Sequence, residues 1–261
     1  MVESGGLENR CTGNPGTEGS NPSPSASGPP PPARRVVCAA VSYPQRGFRL
    51  PPGATEVVLV RHGASEVAVP GRRFPLVDGH GDPALAPEGE SQAVAVAERL
   101  ADEGLSRLFI TPLRRTAQTA APLAARLGLE PVVVPELREV SLGIYEGGEF
   151  RIRIAEGDPV ALQAVAEERW DAIPGAEGMD AFAARVRAGI EAVVAAAGPD
   201  TRVAAVVHGG VIGEACRQAT DSRPFAFVHA DNGSLSRLVV VEGARWLLRS
   251  FNDTAHLPAP A

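Results

Sequence analysis

Short apolar runs alternate with amphipathic segments along most of the chain. Apolar runs that predict buried strands lie at residues 56–60, 108–110, 131–134 and 203–207. Segments with apolar residues at helical spacing lie at 88–103, 112 to about 127, 179–197 and 211–220. Residues 235–241 and 246–250 predict antiparallel strands around a turn at Glu242-Gly243. The alternation predicts an α/β fold, a three-layer α/β/α sandwich around a mostly parallel mixed sheet with an antiparallel edge.

The first part of the chain departs from this pattern. Residues 1–52 are rich in Pro, Gly and Ser, and they predict a disordered leader. A secretory signal is the alternative, but the apolar stretch 36–41 is short and lies far from Met1. Residues 53–257 are predicted to form one domain, followed by a tail at 258–261.

Composition narrows the classes of function. The 261 residues carry a formal net charge of −6, which argues against binding nucleic acid by general charge attraction. The apolar runs are too short to cross a bilayer, so no membrane partner is expected. Cys11, Cys38 and Cys216 form no CxxC pair, which argues against a zinc ribbon and fits a reducing, cytoplasmic compartment. All 25 basic residues are Arg, so any cation that binds an anion must be Arg or protonated His.

Two predicted strands run directly into a His-Gly pair. The strand 56–60 precedes Arg61-His62-Gly63, and the strand 203–207 precedes His208-Gly209 and a predicted helix. Carboxyl ends of parallel strands meet at one edge of a sheet, where sites form, and a helix start offers free N–H groups to an anion. Each pair alone is weak evidence, because a loop histidine bonded to a carbonyl is the alternative.

Two further strand ends carry charged residues. Arg114 and Arg115 follow the strand 108–110 at the start of a helix, and Glu139 follows the strand 131–134. Arginine in the first turn of a helix is unfavourable for the macrodipole unless an anion binds there. The alternatives are surface arginines, which is the preferred interpretation for Arg114, and an ordinary loop carboxylate for Glu139.

Together these four segments resemble the histidine phosphatase superfamily, the phosphoglycerate-mutase-like proteins, and in particular its phosphatase branch. The resemblance extends over about residues 55–257 and includes 82–89, similar to a D-x-x-L-T-x-x-G stretch, and 174–178, similar to a P-G-G-E-S loop. Asn232-Gly233-Ser234 and Asn252-Asp253-Thr254 also resemble family positions. The implied fold is the phosphoglycerate-mutase-like sandwich.

The resemblance implies a role for each matching residue. His62 would be the nucleophile that forms a phosphohistidine, with its second ring nitrogen held by a backbone carbonyl. Glu139 would protonate the leaving oxygen and then deprotonate the attacking water, and His208 would complete the catalytic set. Arg61 and Arg115, with Gly63 and Gly209, would bind the phosphate. No cofactor and no metal are implied.

Some positions depart from the family pattern or are open. An Asn that usually contacts phosphate is replaced by Ala68, and Arg72 or Arg73 is predicted to compensate. Ser65 either contacts substrate or is a turn hydroxyl. His80 lines the entrance of the site or lies on the surface. We predict structural roles for His229 and His256, and core positions for Trp170 and Trp246.

The same resemblance bears on the reaction. Cofactor-dependent mutases of the family use a Lys and a pair of Arg from an insertion that corresponds to 148–173, where this chain has three Arg among six acidic residues. We therefore expect a phosphomonoesterase acting on a small phosphorylated metabolite, such as a sugar phosphate or a phosphoglycerate derivative. The alternatives are a cofactor-dependent phosphoglycerate mutase and a catalytically inert protein that binds a phospho-ligand. The antiparallel edge could support a homodimer.

Overall fold

The computed structural model describes residues 43–241 and 246–257. Most of the predicted leader, the turn at Glu242-Gly243 and the predicted tail lie outside these residues. Within the described ranges, no helix is long and apolar enough to cross a membrane.

The secondary structure follows the predicted order. The strands are β1 (Ala54–Arg61), β2 (Leu76–Val77), β3 (His80–Gly81), β4 (Arg107–Ile110), β5 (Val132–Val133), β6 (Thr201–Val207), β7 (Leu235–Val241) and β8 (Leu247–Asp253). The helices are α1 (Pro87–Leu100), α2 (Arg114–Leu127), α3 (Glu149–Glu156), α4 (Pro159–Ala166), α5 (Met179–Ala197) and α6 (Gly209–Thr220). Helix α2 begins at Arg114 and not at Pro112, because Leu113 is extended with φ −83 and ψ 130. The sequence pattern did not predict α3, α4 or the β2–β3 hairpin.

One mixed sheet organises the domain, as predicted. Its strand order is β5-β4-β6-β1-β7-β8. Strands β5, β4, β6 and β1 are parallel, whereas β7 and β8 are antiparallel and form one edge.

Alternate residues of the central strands face opposite layers of helices. In β1, Val57 and Leu59 pack in a cluster that contains residues of α5 and α6. Val58 and Val60 pack in a second cluster with residues of α1 and α2. Because side chains alternate along a strand, the continuous apolar run of β1 is buried on both faces, and the result is a three-layer sandwich.

Strand register brings the two His-Gly pairs together. In the parallel β1–β6 pair, Arg61 is the partner of Val207, so the residues that follow each strand are neighbours. The backbone N–H of His62 donates to the carbonyl of Val207 at 3.0 Å, and the rings of His62 and His208 lie 5.2 Å apart between centroids. The predicted convergence at the carboxyl end of the sheet is therefore present.

Candidate active site

His62 is held as a neutral imidazole with one defined tautomer. Its Nδ1–H donates to the carbonyl of Gly63 at 2.8 Å, so Nε2 carries the lone pair. That nitrogen accepts a hydrogen bond from Arg115 Nε at 3.2 Å. Burial, with the charges of Arg115 and Arg61, holds the pKa of His62 well below its usual 6.5. The ring is therefore unprotonated near neutral pH, which a nucleophilic imidazole requires.

His208 is fully buried beside His62. Its Nε2 lies 2.9 Å from the hydroxyl oxygen of Thr111, and its Nδ1 has no hydrogen-bond partner among the described residues. Burial and the charge of Arg115 are the main causes that lower its pKa well below the usual value. If the Thr111 hydroxyl donates to Nε2, the unpartnered Nδ1 carries the proton of the neutral ring.

Arg61 and Arg115 surround the two histidines with positive charge. Arg115 is buried and donates from Nη1 to the carbonyl of Gly81 at 2.9 Å. The carboxylate of Asp82 lies 4.0 Å away, and the charge of Glu139 also acts on Arg115. Burial lowers the pKa of Arg115 to about 10 and also lowers that of Arg61. Both guanidiniums remain charged at neutral pH, and they favour an anion as their missing counter-charge.

Glu139 is half-buried and lines the same cavity as His62, Arg61 and Arg115. One carboxylate oxygen accepts from the backbone N–H of Val140 at 3.0 Å, and the other accepts from Gly210 N–H at 3.3 Å. A side chain at position 210 would place its Cβ 2.5 Å from Glu139 Oε1. The start of α6 therefore leaves room for this carboxylate only because residue 210 is glycine.

Aromatic side chains form part of the wall of the cavity, whose volume is about 310 Å³. Phe74, Tyr145, Phe150 and Trp170 contribute to its walls. Trp170 is partly buried, packs against the core and also lines the cavity, so the predicted core position holds only in part. Trp246 is buried in the core as predicted.

The other histidines differ in their surroundings. His80 is buried, lines the cavity and donates from Nδ1 to the carbonyl of Asp78 at 3.0 Å. His229 is exposed. His256 contacts the carbonyl of Gly233 through Nε2 at 3.1 Å. The structure thus supports the entrance position for His80 over the surface position.

Several predicted phosphate or substrate contacts lie elsewhere. Arg72 and Arg73 are exposed and do not line the cavity, and Arg73 approaches Glu149 at 3.7 Å. The N–H of Gly63 is taken by Thr119 Oγ1 at 3.0 Å, and a Cβ at position 63 would lie 2.4 Å from the carbonyl oxygen of Gly89. Glycine at 63 therefore serves close packing on α1.

Two residues without a predicted role support or join the site. Asn232 Nδ2 donates to the backbone carbonyl of His62 at 2.8 Å, which fixes the chain at this residue. Arg151, from α3, lines the cavity and donates from Nη2 to Ser65 Oγ at 2.9 Å. Family resemblance was the available signal for Asn232, whereas no periodicity pointed to Arg151. Gly209 lines the cavity beside Arg61.

No metal cluster is evident in residues 43–241 and 246–257, where no group of three or more His, Cys, Asp or Glu side chains could hold an ion. The site is therefore described by its imidazoles, guanidiniums and carboxylate.

The lowered histidine pKa values predict a specific pH dependence of stability. Below about pH 6.5 an unfolded histidine binds a proton, whereas folded His62 and His208 stay neutral. The unfolded state then binds more protons, so the free energy of unfolding should fall as pH drops from about 6.5 to about 5. The slope should reach about 1.4 kcal/mol per pH unit for each histidine.

Urea unfolding across this range, in a buffer free of phosphate and sulfate, measures the slope. His62→Asn should flatten it by the contribution of one group, and His229→Asn, at an exposed position, should leave it unchanged. His256, whose pKa burial also lowers, contributes with the same sign. Carboxylates such as Glu103, whose pKa is lowered from 4.5, reduce the free energy of unfolding only at lower pH, where they become protonated. A wild-type slope equal to that of His62→Asn would contradict the prediction.

The comparisons with known proteins agree with this geometry. The profile of the histidine phosphatase superfamily, branch 1, matches residues 57–254. The chain therefore belongs to the histidine phosphatase superfamily.

Individual relatives include both phosphatases and mutases. A probable phosphoglycerate mutase, GpmB, of Yersinia enterocolitica is 31% identical over 212 residues, which cover 79% of this chain and 96% of that protein. The solved structure of a mycobacterial glucosyl-3-phosphoglycerate phosphatase is 30% identical, with a TM-score of 0.64, covering 77% of this chain and 100% of that one. A phosphoglycerate mutase from Bacillus anthracis, at 21% identity, 79% and 96% coverage and a TM-score of 0.65, shares the fold.

Proposed function

We propose that this protein is a phosphomonoesterase that hydrolyses a small phosphorylated metabolite through a phosphohistidine on His62. The observation that carries the proposal is the tautomer of His62. Its Nδ1–H is bonded to Gly63 O, so the unprotonated Nε2 lies within reach of Arg115 in a cavity that Glu139 also lines. This arrangement combines a nucleophile, cations for a phosphoryl group and a carboxyl group for proton transfer.

In the first proposed step, His62 Nε2 forms a bond to phosphorus while the bond from phosphorus to the ester oxygen breaks. Glu139 supplies the proton that the leaving oxygen takes. In the structure Arg115 donates a hydrogen bond to Nε2 of His62. In this step Arg115 and Arg61 donate to the phosphoryl oxygens instead. Charge on those oxygens is stabilised by fixed cations and N–H donors, which supply most of the acceleration in phosphoryl transfer.

In the second step, water attacks the phosphohistidine. The carboxylate of Glu139 takes a proton from this water, the bond from nitrogen to phosphorus breaks, and inorganic phosphate leaves with His62 restored. If the Thr111 hydroxyl donates to Nε2 of His208, the Nδ1–H of His208 is free to donate to the phosphoryl group in this proposal. Glu139 therefore ends the cycle in the protonation state in which it began.

Residues 148–173, which we call the cap, favour hydrolysis over isomerisation. A mutase must hold a phosphorylated carboxylate through two transfers, which calls for additional cations in the cap. In the segment 148–173, Arg153 is paired with Glu149 and Glu156, and Arg169 is paired with Asp171. Arg151 is the arginine of this segment that lines the cavity.

The leaving group is proposed to be a sugar or a phosphoglycerate-like moiety. The cavity offers aromatic walls beside a charged floor, and a relative of 30% identity is a glucosyl-3-phosphoglycerate phosphatase. The walls suit the apolar face of a small ligand, and the polar groups orient it.

A substrate panel tests this function. Purified protein would be offered an aryl phosphate, hexose phosphates, phosphoglycerates and glucosyl-3-phosphoglycerate, with phosphate release and isomerisation measured in parallel. We expect hydrolysis of at least one sugar or glycerate ester with a kcat/KM of about 10⁴ M⁻¹s⁻¹ or more. Isomerisation of phosphoglycerate faster than its hydrolysis would instead establish a mutase. Tight phosphate binding without turnover of any ester would establish the inert binding protein.

A further inference from the structure

Three arginines reach the cavity without a close carboxylate partner. Within the described part of the chain, Arg61 and Arg151 form no ion pair, and the carboxylate nearest to Arg115 is 4.0 Å away. Several other arginines of the domain are paired at short range, as in Arg185–Glu177 at 2.6 Å. The cavity therefore holds three guanidinium groups against the two carboxylates of Glu139 and Glu146, which also line it, and this excess of positive charge favours an anion.

The charge of Arg151 acts on the part of this cavity where His62, Arg61 and Arg115 lie. Arg151 is exposed as a whole residue, but desolvation of its guanidinium, together with the charge of Arg61, lowers its pKa. The charge of Arg151 in turn helps to lower the pKa values of His62 and Arg115. Arg151 is thus within Coulombic range of the nucleophile and of both predicted phosphate ligands.

The guanidinium of Arg151 is positioned by the loop that follows the nucleophile. Its Nη2 donates to Ser65 Oγ at 2.9 Å and its Nη1 donates to the carbonyl of Glu66 at 3.2 Å. A guanidinium has five N–H donors, so donors remain for a ligand after these two bonds. The guanidinium of Arg151 is consequently oriented by the loop that follows His62.

Local packing explains how Arg151 reaches the cavity. Gly148, with φ +95, precedes α3, and a Cβ there would lie 2.7 Å from the ring of Phe74 and 3.2 Å from the Cβ of Ala68. The backbone N–H of Phe74 donates to the carbonyl of Gly147 at 2.9 Å. Small residues at 68 and 148 therefore let the first turn of α3 close on the loop after His62, and Arg151 lies in that turn.

We propose that Arg151 is a third phosphate-binding cation, which contacts the transferring phosphoryl group together with Arg61 and Arg115. This proposal rests on the proposed function for its role in turnover, but phosphate binding tests it independently. Arg151 then takes the place that the sequence assigned to Arg72 or Arg73. Arg151 has two alternative roles. It could serve only to anchor the loop that contains Ser65, or it could recognise an anionic group on the leaving moiety.

The test compares four variants with the wild type. Arg151→Gln removes the charge, and Arg151→Lys keeps the charge but loses the fork. Ser65→Ala removes the anchoring contact. Arg153→Gln is the matched control, because Arg153 lies two residues further along the same helix and pairs with Glu149 and Glu156. Each variant is titrated with inorganic phosphate by calorimetry and assayed on an aryl phosphate and on a phosphoglycerate.

We expect Arg151→Gln to raise the dissociation constant of inorganic phosphate by about 10-fold to 100-fold. It should lower kcat/KM by a similar factor on both substrates, because both carry the same phosphoryl group. Arg151→Lys should recover part of the phosphate affinity, since it restores the charge without bidentate geometry. Arg153→Gln should match the wild type in both measurements.

Three results would overturn the proposal. The first is unchanged phosphate affinity in Arg151→Gln. The second is a loss confined to the carboxylate-bearing substrate, which would assign Arg151 to the leaving group. The third is a loss of phosphate affinity in Ser65→Ala as large as that in Arg151→Gln, which would assign a structural role. If the wild type hydrolyses no ester but its phosphate affinity depends on Arg151, the proposed function fails and this inference stands.

Discussion

Replacing His62 by Ala is expected to lower kcat for monoester hydrolysis by about 10⁴-fold to 10⁶-fold. The proposed chemistry has no second nucleophile, because His208 has its Nε2 engaged with Thr111 and is assigned to hold the phosphoryl oxygens. Removing the imidazole leaves Arg61, Arg115 and Glu139, so the variant should still bind phosphate. A large loss of kcat with retained phosphate affinity would locate the defect in bond formation.

The same variant should lose the covalent intermediate. Acid quenching of the wild type destroys a phosphohistidine, which is acid-labile, so the reaction with labelled substrate is stopped in base, and the label should map to the peptide that contains His62. His229→Ala, at an exposed histidine, is the matched control and should keep both label and turnover. Turnover of His62→Ala within about tenfold of the wild type would refute covalent catalysis at this residue.

Replacing Glu139 by Gln is expected to lower kcat by about 10²-fold to 10⁴-fold on esters with poor leaving groups, such as sugar phosphates. An alkoxide leaving group needs the proton that Glu139 supplies. An aryl phosphate needs it much less, because a phenolate is a stable anion, so the loss in phosphoenzyme formation should be far smaller. The phosphoenzyme should then accumulate, because no carboxylate deprotonates the attacking water.

Rapid-quench measurements on the two substrates check this difference. Glu136→Gln is the control, because Glu136 is exposed and lies three residues before Glu139 on the same connection. In Glu139→Gln the new amide can accept at only one oxygen, so one of the N–H donors of Val140 and Gly210 loses its bond. Equal losses on aryl and sugar esters would contradict proton donation and favour this structural effect.

Most of the fold was predicted from the short apolar runs that mark the strands. In β1, an uninterrupted apolar run predicted a strand buried on both faces, and its residues do alternate between two helical layers. Boundaries were less accurate where proline is involved: the helix after β4 begins at Arg114, because Leu113 is still extended. The hairpin β2–β3 consists of two-residue strands, which are too short to produce a periodic signal.

The sequence also determined which residues meet at the sheet edge. His62 and His208 each follow a parallel strand by one position, and parallel pairing in the register of Arg61 with Val207 makes them neighbours. The sequence places both histidines at strand ends, and the strand–helix alternation predicts parallel strands whose carboxyl ends share one edge. That β1 and β6 are neighbours is decided by the tertiary structure. The family resemblance supplied the roles, and it also covered Asn232, whose side chain holds the backbone of His62.

Only the tertiary structure decided how the cap completes the cavity. Arg151 lies 86 positions from Ser65 in the chain, and neither its helix nor its neighbours carry a pattern that predicts their contact. Trp170, which follows α3 and α4 in the chain, likewise lines the cavity. A strand end can be assigned from its own residues, whereas a cap contact depends on where a separate segment packs, which the local order of polar and apolar residues does not encode.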